Sequence, residues 1–143
     1  MLGLEVQTRF MTNGDFDRVI EINHTSSGDY AWEPDDLYTE WKSEQGVGIV
    51  AVDRDDYTLG FCIYNLNNKE NYEIRHLVVD KSLQHLGIGT ALINRMKDKL
   101  NDTRCILSYS VPENNLGFQL FLKKMGFKAR VNGDVYIFQY EKV

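Results

Sequence analysis

Cysteine and proline are scarce in this chain, with two of each among 143 residues. Cys62 and Cys105 stand alone inside apolar runs, a number and spacing that suit neither a disulfide framework nor a zinc site, so a reducing, cytoplasmic setting is expected and no metal is. No apolar stretch approaches the ~20 residues of a membrane span, and no charged-then-apolar leader follows Met1. The sequence therefore predicts a protein neither inserted in a membrane nor secreted. An excess of positive charge is missing too. The formal net charge is −5, which argues against a nucleic-acid partner and allows a cationic, amine-bearing substrate. With no repeat, linker or low-complexity segment, residues 1–143 read as one domain, long enough to bury about two-thirds of its unfolded surface.

What is present concentrates in one stretch. An apolar run through Leu77, Val78 and Val79 leads into Gln84-His85-Leu86-Gly87-Ile88-Gly89-Thr90, and this loop opens onto Leu92, Ile93, Met96 and Leu100 at helical spacing. In such a strand, loop and helix, the loop amides lack intrahelical partners. They point outward at the positive end of the helix dipole, where a phosphate is stabilised. Glycine at 87 and 89 removes Cβ atoms that would hold an anion off the backbone and permits positive φ. Many connections need glycine for geometry alone, so at this point an anion site and a plain turn are both open.

The flanking sequence fills in the fold. Residues 5–11 alternate as a strand, and 15–25 carry Phe16, Val19, Ile20 and Asn23 at helical spacing. Pro34 starts a second helix with Leu37, Tyr38 and Trp41 as its apolar stripe. Between these helices, His24, Asp29, Tyr30 and Trp32 line either a pocket or an ordinary loop. Residues 47–52 and 59–64 form a hairpin, and 105–111 a buried strand. Leu116, Phe118, Leu120, Phe121, Leu122 and Met125 make an apolar helix that stops at Gly126; 127–131 and 135–141 close the chain as a hairpin around Asn132-Gly133-Asp134. The predicted class is α/β, with a mixed, mostly antiparallel central sheet flanked by helices on both faces.

Gln84-x-x-Gly87-x-Gly89 after a strand, within this order of elements, resembles the coenzyme-A loop of the GCN5-related N-acetyltransferase (GNAT) superfamily, and the likeness covers essentially the whole chain. The resemblance implies the acyl-CoA N-acyltransferase fold and an acetyl-CoA-dependent transferase. Such an enzyme moves an acetyl group directly, in a ternary complex, to a primary amine of a small molecule or a protein. It further implies that the main chain of Leu77, Val78 and Val79 runs beside the pantetheine arm and that Gln84, His85, Leu86, Gly87, Ile88, Gly89 and Thr90 hold the pyrophosphate. The resemblance also implies that Asn115 and Phe121, at and on the last helix, belong to the same coenzyme site. Monomer and homodimer are both open.

Transfer to an amine also needs a proton acceptor and a proton donor. The spacing from Glu73 to Gly87 resembles that of the histone-acetylating branch, where the glutamate deprotonates the amine directly or through water; the bland alternative is a structural pair with Arg75 or Lys69. Strand alternation sets Ile74 and His76 opposite Glu73 and Arg75, so Glu73 and His76 share a cavity only across a bulge. The family's thiolate-protonating tyrosine falls at Leu122, preceded by Phe121, with Asn115, Gly126 and Phe127 in register. That leaves Tyr109 as the chosen acid, with Tyr136, a water or no catalysis as alternatives. A branch that acetylates the N-terminal alanine of a ribosomal protein is similar in length and in the Tyr30-Ala31-Trp32 loop, but its glutamate corresponds to Ser110, so that activity is not assigned. Neither cysteine has the electropositive, exposed setting of an acyl carrier. The competing reading is a degenerate coenzyme-A-binding module acting through a protein partner. A dinucleotide or P-loop enzyme is disfavoured by the missing Gly-Lys-Ser/Thr ending.

Overall fold

The computed structural model describes residues 5–67, 71–100 and 105–142. Its frame is one seven-stranded sheet of β1 (Gln7–Phe10), β2 (Gly46–Val52), β3 (Thr58–Leu66), β4 (Asn71–Val79), β5 (Ile106–Pro112), β6 (Lys128–Asn132) and β7 (Val135–Glu141), in the spatial order β1-β2-β3-β4-β5-β7-β6. Every neighbouring pair is antiparallel except β4 and β5. Helices α1 (Phe16–Ser26) and α2 (Pro34–Lys42) cover one face, and α3 (Ile88–Lys99) and α4 (Leu116–Lys124) the other. The architecture is the one expected from the order of elements.

Two cores follow from covering both faces. Ile49 and Ala51 of β2 pack with Leu92, Ile93 and Met96 of α3, while Val50 and Val52 pack with Val19 and Ile22 of α1 and Leu37 and Trp41 of α2. A strand buried on both sides needs no polar alternation, which explains the unbroken apolar runs of β2 and β3. Pro34 sits in the first turn of α2 beside Asp35 and Asp36, and Gly126, at φ +92°, ends α4.

Helix α4 departs from the expected all-round apolar element. Leu116 and Leu120 are 65 % and 66 % exposed, whereas Leu122 is fully buried in the core. Only one stripe of a helix laid on a sheet edge reaches the core, so the remaining leucines face outward.

Strand β4 carries the two irregularities that make a site. Ile63 pairs with His76 but the next residue, Tyr64, pairs with Ile74, so Arg75 is an extra residue in β4. This bulge reverses the alternation expected from the sequence. Tyr72, Ile74 and Leu77 pack toward α3, whereas Val78 joins the core under α1 and α2 and His76 stacks on Trp32 and meets Phe61 edge-on there. Glu73 and His76 therefore share a face. The second irregularity is a splay. The parallel ladder of β4 and β5 ends at Ile74 and Tyr109; beyond it β4 stays paired with β3 and β5 with β7.

Candidate active site

The splay opens a cleft of about 1270 Å³. Leu77, Val78 and Val79 form one wall, but Leu77 and Val78 send their side chains into opposite cores, so what this wall offers is main chain. At the far end of β4, residues 84–90 turn into α3. His85 and Gly87 adopt left-handed backbone (φ +68° and +88°), which swings successive amides to one side. The first helical bond runs from the Ala91 N–H to the Gly87 carbonyl (3.0 Å), leaving the amides of Ile88, Gly89 and Thr90 unclaimed by the helix.

Gln84, His85, Gly87, Ile88, Gly89 and Thr90 all line the cleft. Leu86 does not; its side chain is half-exposed, so any part it plays runs through its amide. Gly89 has a packing reason of its own. A Cβ there would lie 3.2 Å from Cζ of Phe121, which closes the opposite wall with Phe118. Asn115 lines the mouth of this wall, and its N–H donates to the Pro112 carbonyl (3.0 Å). Lys124 reaches the same cleft. The sequence reading omitted it, although its place three residues after Phe121 puts both on one helical face.

The other end of the cleft is acidic. Arg75 Nη1 donates to Glu73 (2.9 Å) and its Nε to Glu40 of α2 (2.7 Å). The structural pairing of Glu73 with Arg75 is thus present, while Lys69 lies outside the described residues. Glu73 still lines the cleft. An adjoining hollow of about 500 Å³ shares Trp32 and Arg75 and adds Glu33, Asp36 and Glu40 to the wall. From the connection between α1 and α2, Tyr30 and Trp32 line the main cleft, whereas His24 and Asp29 do not. The Tyr30 hydroxyl donates to Asn114 Oδ1 (2.9 Å), tying that connection to the start of α4.

Tyr109 is partly buried where the two strands part. The Leu77 N–H donates to its hydroxyl oxygen (3.1 Å), and Phe118 packs edge-on against its ring at 5.2 Å. Burial pushes its pKa above the ordinary phenol value, so it keeps a proton of its own to give. Tyr136 is paired within β7 and does not line the cleft.

His76 is 5 % exposed and stacks on Trp32 (centroids 4.9 Å apart, 13° between planes). Asn23 of α1 holds it. Asn23 Nδ2 donates to the Trp32 carbonyl (2.6 Å), Asn23 Oδ1 accepts the Trp32 N–H (3.0 Å), and His76 Nε2 lies 2.9 Å from the same Oδ1. Burial lowers the His76 pKa to about 4, so the ring is neutral near pH 7.

Neither cysteine lines the cleft. Both are buried, and burial pushes the Cys62 thiol up, away from the thiolate. Among the described residues no cluster of three His, Cys, Asp or Glu side chains is placed to hold a metal, and no helix is long and apolar enough to cross a membrane.

The sequence pattern that defines the acetyltransferase (GNAT) family matches residues 16–127, a span that runs from the start of α1 past the cleft to the end of α4. The chain belongs to that family. None of the curated proteins matches it in sequence, but solved structures share its fold. The ribosomal-protein-S18-alanine N-acetyltransferase of Escherichia coli superposes with a TM-score of 0.83 at 15% identity, over 96% of this chain and 94% of that one. The PaiA N-acetyltransferase of Thermoplasma acidophilum, in complex with coenzyme A, gives 0.75 at 18% identity over 97% and 100%. NAA60 of Arabidopsis thaliana, in complex with a bisubstrate analogue, gives 0.76 at 18% identity over 96% and 98%. These likenesses establish the acyl-CoA N-acyltransferase fold.

Within this GNAT acetyltransferase, the register of α4 clarifies the missing tyrosine. Phe118, Phe121 and Lys124 face the cleft, and Leu122 faces the core. Neither aromatic side chain that α4 turns to the cleft carries a hydroxyl: Phe118 lies against Tyr109 and Phe121 against Gly89.

Proposed function

We propose that this acetyltransferase carries the acetyl group of acetyl-CoA directly to a primary amine of a small molecule or protein, in a ternary complex within the cleft. The observation that carries the proposal is the splay of β4 from β5. It frees the main chain of Leu77 to Val79 beside a cleft that ends on the unclaimed amides of α3, with His85 and Lys124 near that anion-binding end. The pantetheine arm lies along β4, the pyrophosphate meets residues 84–90, and the thioester comes to rest near Tyr109.

On the way from ammonium to amide the nitrogen sheds two protons, and the departing thiolate takes up one. Glu73, partly open to solvent and in the acidic end of the cleft, attracts the ammonium and accepts its first proton directly or through a water. Tyr109 gives its proton to the sulfur. Its oxygen is already held by the Leu77 N–H, which also steadies the tyrosinate formed. With its cysteines buried away from the cleft, the enzyme needs no acyl carrier and is suited to the reducing cytoplasm.

Phe121 in the cleft favours one competing reading, a coenzyme-A-binding module without turnover. Two measurements decide. Calorimetry with coenzyme A is expected to show saturable binding, and no binding at millimolar coenzyme refutes the donor site. Thiol release from acetyl-CoA is then followed with lysine, ethanolamine, a linear diamine and peptides with free N-termini. Turnover with any of these, reduced in Glu73→Gln, supports the enzyme; binding without turnover supports the module.

A further inference from the structure

We propose that His76 is a second proton acceptor of the transfer, taking the proton that the amine nitrogen loses as it bonds to the thioester carbon. The inference rests on the acetyl-transfer reading and supplies the step it leaves without a residue. The placement comes from the bulge at Arg75, which brings His76 to the face of Glu73 and into the wall of the cleft that Tyr109 also lines.

The tautomer follows from the backbone. Both main-chain groups of Trp32 are bonded to Asn23, its N–H to Oδ1 and its carbonyl to Nδ2, so the carboxamide has one orientation. Its oxygen is an acceptor, and His76 Nε2, 2.9 Å away, must therefore carry the hydrogen. In a neutral ring the lone pair is then on Nδ1. No described residue pairs with that atom, and His76 lines the cleft, where Nδ1 would meet the amine. The neutral resting state keeps it available at physiological pH. When the ring becomes charged, Nε2–H keeps its bond to Asn23, and the stacked indole of Trp32 stabilises the cation. Asn23 and Trp32 are thus positioning residues for it.

The atoms balance as follows. The amine lone pair forms the C–N bond and the carbonyl π pair moves to oxygen. Nδ1 of His76 removes the proton from the now positively charged, strongly acidic nitrogen. The oxyanion re-forms the carbonyl, the C–S bond breaks, and the thiolate takes the Tyr109 proton. The imidazolium returns its proton to the tyrosinate through the cleft, and Glu73 releases the first proton to solvent.

The test has two arms. Nitrogen-15 NMR of the wild-type protein at neutral pH is expected to show a protonated Nε2 and a bare Nδ1 on His76; the opposite tautomer overturns the proposal, and this arm needs no variant. In the kinetic arm the fastest amine of the panel is used with acetyl-CoA. His76→Gln is expected to lose about 10²–10⁴-fold in kcat, with its coenzyme A affinity held within about twofold. His76→Ala should regain part of the loss with added imidazole, which a purely structural role does not provide. A His76→Gln protein that binds coenzyme A and keeps kcat within about threefold of wild type overturns the role of His76 alone. If the wild type binds coenzyme A but releases no thiol with any amine of the panel, the acetyl-transfer reading fails and this role falls with it.

Discussion

Acidification from pH 7.5 to pH 5 should destabilise the protein by about 2 kcal/mol through His76. In the folded state its pKa is lowered from 6.5 to about 4 by burial against Trp32 and Phe61, whereas the unfolded chain keeps the ordinary value. Below pH 6.5 the unfolded imidazole binds a proton that the folded one refuses. The stabilisation is therefore complete above pH 6.5 and is lost as the pH falls toward 4. The gap is worth about 3 kcal/mol in full, and about 2 of that is gone at pH 5. Carboxylates do not confuse this window. Asp15 is held below its usual range by the Arg9 hydrogen bond, and Asp80, despite burial that raises it, is held low by the Ser82 amide and Arg18. Both contribute stability that is lost only as the pH falls below about 3.8, their ordinary value. Urea unfolding followed by tryptophan fluorescence at pH 7.5 and pH 5 measures the loss, and His76→Gln, which keeps an amide donor for Asn23, should abolish most of it. An equal loss in wild type and variant would show that the imidazole is not buried neutral and would refute the reasoning.

Three further predictions concern the cleft. Tyr109→Phe should lower the rate of thiol release about 10²-fold or more while calorimetry shows coenzyme A still bound; an unchanged rate removes Tyr109 as the acid. Leu122→Tyr, which puts a hydroxyl at a fully buried position, overpacks the core and should cost about 1–3 kcal/mol in urea melts without raising the rate. Lys124→Ala should weaken coenzyme A binding severalfold at low salt, with the difference shrinking as salt is added, as expected of a partly exposed charge; equal affinities at low salt would place Lys124 away from the phosphates.

Much of the fold was legible along the chain. Covered faces leave local signatures: the continuous apolar runs of β2 and β3, the recurrence of Val19 and Asn23 on α1, Pro34 opening α2 and Gly126 ending α4. The loop at residues 84–90 was legible for the same reason, since its turn into α3 depends on glycine and on a helix start, both of which are local. Helix α4 was less so. Its sequence is apolar on several sides, and only its seat on the sheet decides that Phe121 faces the cleft, Leu122 the core and Leu120 the solvent.

By itself, then, the sequence determined the order and kind of elements and the glycine loop before α3, because propensity, periodicity and turn chemistry act over a few neighbouring residues; the candidate pair Glu73 and Tyr109 rested on likeness to a family. The tertiary structure alone decided how β4 presents its side chains. The bulge at Arg75 is a property of its pairing with β3, and no pattern within β4 announces it. That one extra residue brings His76 beside Glu73, where Asn23 and Trp32, distant in the chain, set its tautomer and its burial.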